Sequence, residues 1–218
     1  MDFLKYKNYI FDFDGTLVNS MPYWISRPSE FIKYKGLNPK EDLDKRVFFF
    51  ESLEAAEALK NEYNLAGSVK EVFEEMKKWI YEEYRYVDLK EKAFDLINYL
   101  HSLGKNLFIL SAAVDELIQP SVNHKDIKKY FVDVISASSL KLSKEEGNAF
   151  DYILEKYNLK KHETLVLDDS PLVIKKCKEI GIDSFAIKED FYEKYKDELI
   201  LNSLGYYSLE EIYNKRPE

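Results

Sequence analysis

The sequence predicts an α/β fold: a parallel β-sheet with helices on both faces, interrupted by an inserted, all-helical module. Short β-branched or aromatic runs recur along the chain, each closed by polar residues, and amphipathic helical stretches separate the later ones. Between Ser20 and about Tyr86 that alternation stops and only helical patterns appear. Two of the strand-like runs end in acidic pairs, Asp12 with Asp14 and Asp168 with Asp169. Alternating strands and helices imply right-handed crossovers and a ligand crevice at the carboxyl ends of the strands.

Composition is compatible with such a core. Hydrophobic residues make up 45% and charged residues 33% of 218 residues, which is globular usage. That length suits one core with an inserted module. The net charge of −8 weighs against nucleic acid or an anionic membrane as partner, because both recruit basic surfaces. The single cysteine, Cys177, excludes an internal disulfide and a cysteine-based zinc site. His101, His124 and His162 lie too far apart in sequence for helix-borne metal ligation. No apolar run has the length of a membrane span or the form of a secretion signal, so a soluble, cytoplasmic protein is expected.

Taken in order, the first strand is "YIFDF" (9–13), and Gly15 permits a sharp turn after it. Residues two apart on a strand share a face, so Asp12 and Asp14 both project toward the crevice. The insert follows: "SLEAAEALKNEYNL" and "SVKEVFEEMKKWIYEEY" read as helices with Ser52 and Ser68 as N-caps. "RVFFFESL" (46–53) supplies phenylalanines for a small helical core. In "LKEKAFDLINYLHSLG", Ala93, Leu96, Ile97, Leu100 and Leu103 share one helical face and Gly104 is the stop. Strands follow at "NLFILS" (106–111), "FVDVISA" (131–137), "TLVLDD" (164–169) and "DSFAI" (183–187). The organisation is therefore a core of residues 1–19 and 87–218 and a helical cap of residues 20–86, expected to lie over the strand ends.

Four carboxylates gathered at adjacent strand ends repel one another unless a hard cation sits among them, and oxygen-only ligation suits Mg²⁺. Magnesium in turn points to phosphate. Ser111 ends the second strand, the backbone N–H of Ala112 follows it, and Lys144 precedes a helix after the third. Together they supply a local positive field that the chain as a whole lacks. Taken singly, each acidic pair also reads as a helix cap or turn former.

With these four segments in this order, the chain resembles the haloacid dehalogenase superfamily, in its phosphatase branch with a small helical cap. "DFDGT", "FILS", Lys144 and "LDDS" match the four motifs of that family from Asn8 to about Ile187. The resemblance implies a Rossmann-like core, Mg²⁺ as cofactor and a small phosphorylated metabolite as substrate. It makes Asp12 the nucleophile and Asp14 the general acid/base, with Thr16 orienting Asp14. Thr16, Ser111, Ala112 and Lys144 would form the phosphate site, and Asp12, Asp14, Asp168 and Asp169 the metal site, Asp168 directly or through water. An aspartate at position 14 is what dehalogenating members lack, so phosphoryl transfer is expected.

Three departures from the family pattern stand out. No proline follows the motif lysine in "KLSKEEGNAF", which leaves Lys141 as its alternative; Val173 replaces a further acidic residue; and "YVDLKEKAF" lacks a Pro-Gly hinge. Tyr23, Trp24 and Arg27, in "MPYWISR", are candidates for substrate selection, with helix packing as the alternative reading. The alternatives to a phosphatase are a phosphomutase of the β-phosphoglucomutase type, a receiver-like signalling domain and a catalytically silent binding module. Motif order disfavours the receiver, and the full set of reacting residues disfavours the silent module.

Overall fold

The computed structural model describes residues 3–47 and 53–217. Its sheet is built from β1 (Asn8–Phe11), β2 (Asn106–Ser111), β3 (Asp133–Ser136), β4 (Thr164–Asp168), β5 (Asp183–Ile187) and β6 (Tyr206–Tyr207). All neighbours pair in parallel, in the order β3-β2-β1-β4-β5-β6. Every residue of β1 and β4 is buried, as a parallel sheet covered by helices on both faces requires.

The chain divides into two compact units, residues 1–19 with 88–218 and residues 20–87. The second unit is helical among its described residues: α1 (Met21–Tyr34), α2 (Leu43–Arg46), α3 (Leu53–Tyr63) and α4 (Val69–Tyr84). Helix α4 starts where the sequence places it, because Ser68 accepts from the Glu71 N–H while the Glu71 carboxylate accepts from the Ser68 N–H. Ser52 and Phe48 to Phe50, singled out in the sequence, lie outside the described residues.

In the first unit the sheet is flanked by α5 (Ala93–Ser102), α6 (Asp115–His124), α7 (Asn148–Lys156), α8 (Pro171–Ile180), α9 (Lys196–Asn202) and α10 (Leu209–Asn214). Ile10, Phe108 and Val166 pack from neighbouring strands onto Ala149, Phe150 and Ile153 of α7 and Val173 and Cys177 of α8. Cys177 is thus a core residue, and burial pushes its thiol well above the ordinary range. Leu103 departs from expectation: α5 has ended before it, and it is 46% exposed while Ala93, Leu96, Ile97 and Leu100 are buried.

The stretches that leave and re-enter this unit pair with each other. Val18 bridges Leu89 in antiparallel fashion, Asn19 N–H donates to Asp88 C=O at 2.9 Å and Lys90 N–H to Leu17 C=O at 2.9 Å. Strand order reverses between β1 and β4: β2 and β3 build outward on one side, β5 and β6 on the other. Such a switch point opens a crevice beyond the strand ends, and Asp12 and Asp168 stand on either side of it.

Candidate active site

Register brings the acidic residues together. Phe11 pairs with Leu167, and Asp12 N–H donates to Leu167 C=O at 2.9 Å, so Asp12 and Asp168 leave adjacent strand ends side by side. Asp12, Asp168 and Asp169 are all buried, and one carboxylate oxygen from each lies within 4.8 Å of the others. Asp14 is half-buried two residues further along.

A lysine enters this cluster. Lys144, 7% exposed, donates to Asp12 Oδ1 and, at 2.7 Å, to Asp168 Oδ2. Lys141 is exposed and stands in the left-handed region at φ 57°. Asp168 is held from the other side by the Ser170 N–H, 2.9 Å from Oδ1, so both its oxygens are occupied. Asp169 Oδ1 accepts from the Thr16 hydroxyl at 3.1 Å. Thr16 thus bonds to the late acidic pair, because the turn at Gly15 carries its hydroxyl across to β4's end. That turn also explains the glycine. Gly15 has φ +74°, and a Cβ there would lie 2.2 Å from Asp169 Oδ2.

The electrostatics are unbalanced. Burial pushes the Asp12 carboxyl up to about 7, with Asp168 and Asp14 adding repulsion against the pull of Lys144. Burial likewise raises Asp169 well above the usual carboxylate range, helped by Asp12 and Asp168. Burial alone would discharge Lys144, but Asp12 and Asp168 hold it charged above the ordinary lysine range. With all three carboxylates ionised, the single ammonium would leave about two negative charges uncompensated, which is why Asp12 and Asp169 hold their protons when no cation is bound. An all-oxygen donor set with that deficit fits a hard divalent cation held by Asp12 and Asp169, with Asp168 fixed toward Lys144.

Ser111 and Ala112 close the crevice at the end of β2. Ser111 is buried, and its Oγ accepts from the Ala113 N–H at 3.0 Å, which leaves its own proton to donate. The candidates in the helical unit form an aromatic cluster of their own: Tyr23, Trp24 and Tyr84 have ring centroids 5.3 to 5.9 Å apart. The Tyr23 hydroxyl donates to Ile80 C=O at 2.9 Å, tying α1 to α4, whereas the Arg27 guanidinium stacks 3.6 Å over the Trp24 ring.

Two neighbours of the cluster carry no motif. Lys90 pairs with the buried Glu189 at 2.5 Å, and its charge acts on Asp169. Burial outweighs the pull of Asp88 and Asp14 on Lys125 and lowers it to about 8.

The chain belongs to the haloacid dehalogenase-like hydrolase family, whose model it matches over residues 9–187. It is 24% identical over 179 residues to the phosphorylated carbohydrates phosphatase of Thermotoga maritima, covering 80% of this chain and 81% of that one. It is 20% identical over 185 residues to the phosphoglycolate phosphatase of Vibrio parahaemolyticus, covering 81% of each. Among solved structures, a candidate β-phosphoglucomutase from Thermotoga maritima superposes with TM-score 0.79 at 19% identity, over 95% of this chain and 97% of that one. A magnesium-bound candidate hydrolase of the superfamily from Bacillus subtilis gives TM-score 0.75 at 19% identity, over 96% and 98%. At these identities the solved structures speak for the fold.

Proposed function

We propose that the protein is a Mg²⁺-dependent phosphatase that hydrolyses a small phosphate monoester, a sugar phosphate or related metabolite, through a phosphoaspartyl intermediate on Asp12. The observation that carries this reading is the Lys144 ammonium held between Asp12 and Asp168 at the switch point, with Asp169 alongside. A carboxylate attacks a phosphate dianion only where positive charge offsets their repulsion. Mg²⁺, when bound by Asp12, Asp169 and the Asp14 backbone carbonyl, with Asp168 supporting, supplies the remaining positive charge.

The chain's own groups then divide the work. Lys144, the Ser111 hydroxyl and the Ala112 N–H hold the non-bridging phosphate oxygens. Asp12 attacks phosphorus as the ester P–O bond breaks, and Asp14 gives its proton to the leaving oxygen. Asp14 next takes a proton from water as that water attacks phosphorus. The P–Oδ bond breaks, releasing phosphate and restoring Asp12. Arg27, and Trp24 beneath it, are the proposed determinants of the leaving group. Tyr23 joins them as a candidate, its hydroxyl donating to the Ile80 carbonyl.

The test is a phosphate-release screen over phosphorylated metabolites with Mg²⁺, in parallel with Asp12→Asn. Release by the wild type, abolished in EDTA and in the folded variant, is expected. An isomeric phosphate ester in place of free phosphate would replace hydrolysis by mutase chemistry, and turnover by Asp12→Asn would remove the nucleophile assignment.

A further inference from the structure

Resting on that reading, we propose that Ser138, seconded by Ser136 and Ser139, is a positioning residue that sets the direction of the phosphate-holding groups at the end of β2. None of these serines belongs to a motif: Ser136 ends β3, and Ser138 and Ser139 lie on the segment that follows it.

The geometry is a set of backbone clamps. The Ser111 C=O accepts from the Ala137 N–H at 2.8 Å. A trans peptide sets its N–H opposite its C=O, so with the carbonyl turned to β3 the Ala112 N–H faces the other side. That side is where β1 ends at Asp12, since β2 lies between β3 and β1. The next peptide is fixed at both ends: the Ser138 hydroxyl donates to Ala112 C=O, and the Ala113 N–H donates to Ser111 Oγ at 3.0 Å. The peptide after that is held by Ser136, whose hydroxyl donates to Ala113 C=O at 2.7 Å. Ser139 accepts from the Asp115 N–H at 2.9 Å and donates its own N–H to Ser136 Oγ at 3.0 Å.

These contacts bear on the reaction through Ser111. Rotation of the Ala112–Ala113 peptide would withdraw the Ala113 N–H from Ser111 Oγ and free that hydroxyl to turn away from the crevice. Ser138 is the side chain that opposes the rotation. Small displacements of a donor aimed at a developing charge cost large factors in rate, while an exposed serine contributes little to stability.

The test uses the full-length protein with Mg²⁺ and two variants, Ser138→Ala and Ser138→Thr. The readouts are kcat/KM on the best substrate, the Kd of inorganic phosphate by calorimetry, and the unfolding midpoint. Ser138→Ala is expected to lower kcat/KM about tenfold and to weaken phosphate binding by a similar factor, with the midpoint within about 2 °C of wild type. Ser138→Thr, which keeps the hydroxyl, is expected to stay within about twofold. Unchanged kinetics and phosphate affinity in Ser138→Ala would overturn the proposal. So would losses that follow a fallen midpoint and are not restored by threonine. A wild-type protein that neither releases nor binds phosphate is a different failure: it removes the phosphatase reading, and this inference with it.

Discussion

At the scale of single residues, the site turns on one lysine. Lys144 occupies the position where an ammonium touches both Asp12, the proposed nucleophile, and Asp168, the first aspartate of the late pair, and Lys141 three residues earlier faces solvent. Losing a buried donor at a phosphate typically costs about 3 kcal/mol of transition-state stabilisation, roughly a hundredfold in rate. A solvated lysine costs almost nothing. Lys144→Ala is therefore expected to lower kcat/KM at least about a hundredfold, and Lys141→Ala by less than about threefold. Steady-state kinetics on the two purified variants decides it, and the reverse order would move the phosphate to Lys141. Thr16 and Gly15 make the same point about neighbours. Neither reacts in the proposed scheme, yet one bonds to Asp169 and the other leaves the space that Asp169 fills.

At the scale of elements, the helical unit depends on local signals that can be tested alone. The reciprocal Ser68–Glu71 cap starts α4, and replacing such a serine by alanine costs about 1 kcal/mol. Ser68→Ala should accelerate hydrogen exchange in the first turns of α4 and leave β1 and β4 unaffected; equal protection in both proteins would show the cap to be energetically idle. Signals of this kind are also what made much of the fold legible. β2 and β5 occupy the stretches read as strands, and α7 begins next to Gly147, because each is bounded by its own polar or glycine punctuation. The first strand reads to Phe13 but ends at Phe11, since hydrophobic pattern does not show where the backbone turns away to build a crevice. β6, with Tyr206 and Tyr207 alone, is too short to show a period. The site was legible as residue types in order. The Thr16 hydrogen bond to Asp169 and the serine clamps on Ala112 and Ala113 were not, because partners more than twenty residues apart meet only through sheet register.

At the scale of the whole molecule, the buried carboxylates make stability depend on pH and on metal in opposite senses. An aspartate in the unfolded chain titrates near 3.9, whereas burial holds Asp12 at about 7 and raises Asp169 in the same direction. Between those values the folded protein retains protons that the unfolded chain has released. The stabilisation is thus complete below about pH 4 and is lost as pH rises through 7. Other groups act outside that window. Hydrogen bonds from Arg46 and Lys40 hold Glu62 near 2, which matters only in acid, and Lys125, lowered to about 8 by burial, matters only above neutrality. In EDTA the unfolding midpoint should therefore fall between pH 5 and pH 7.5 by several degrees, on the order of 1–3 kcal/mol. A divalent cation competes with protons for the same oxygens, so Mg²⁺ should raise the midpoint more at pH 7.5 than at pH 5. General self-repulsion also grows with pH in a chain of net charge −8. Asp169→Asn separates the two causes. It removes one net charge in many but one of the two raised carboxylates, so it should flatten the pH slope in EDTA markedly and reduce the Mg²⁺ effect. A slope as steep as wild type in that variant would assign the pH dependence to overall charge and leave the acidic cluster without a part in it.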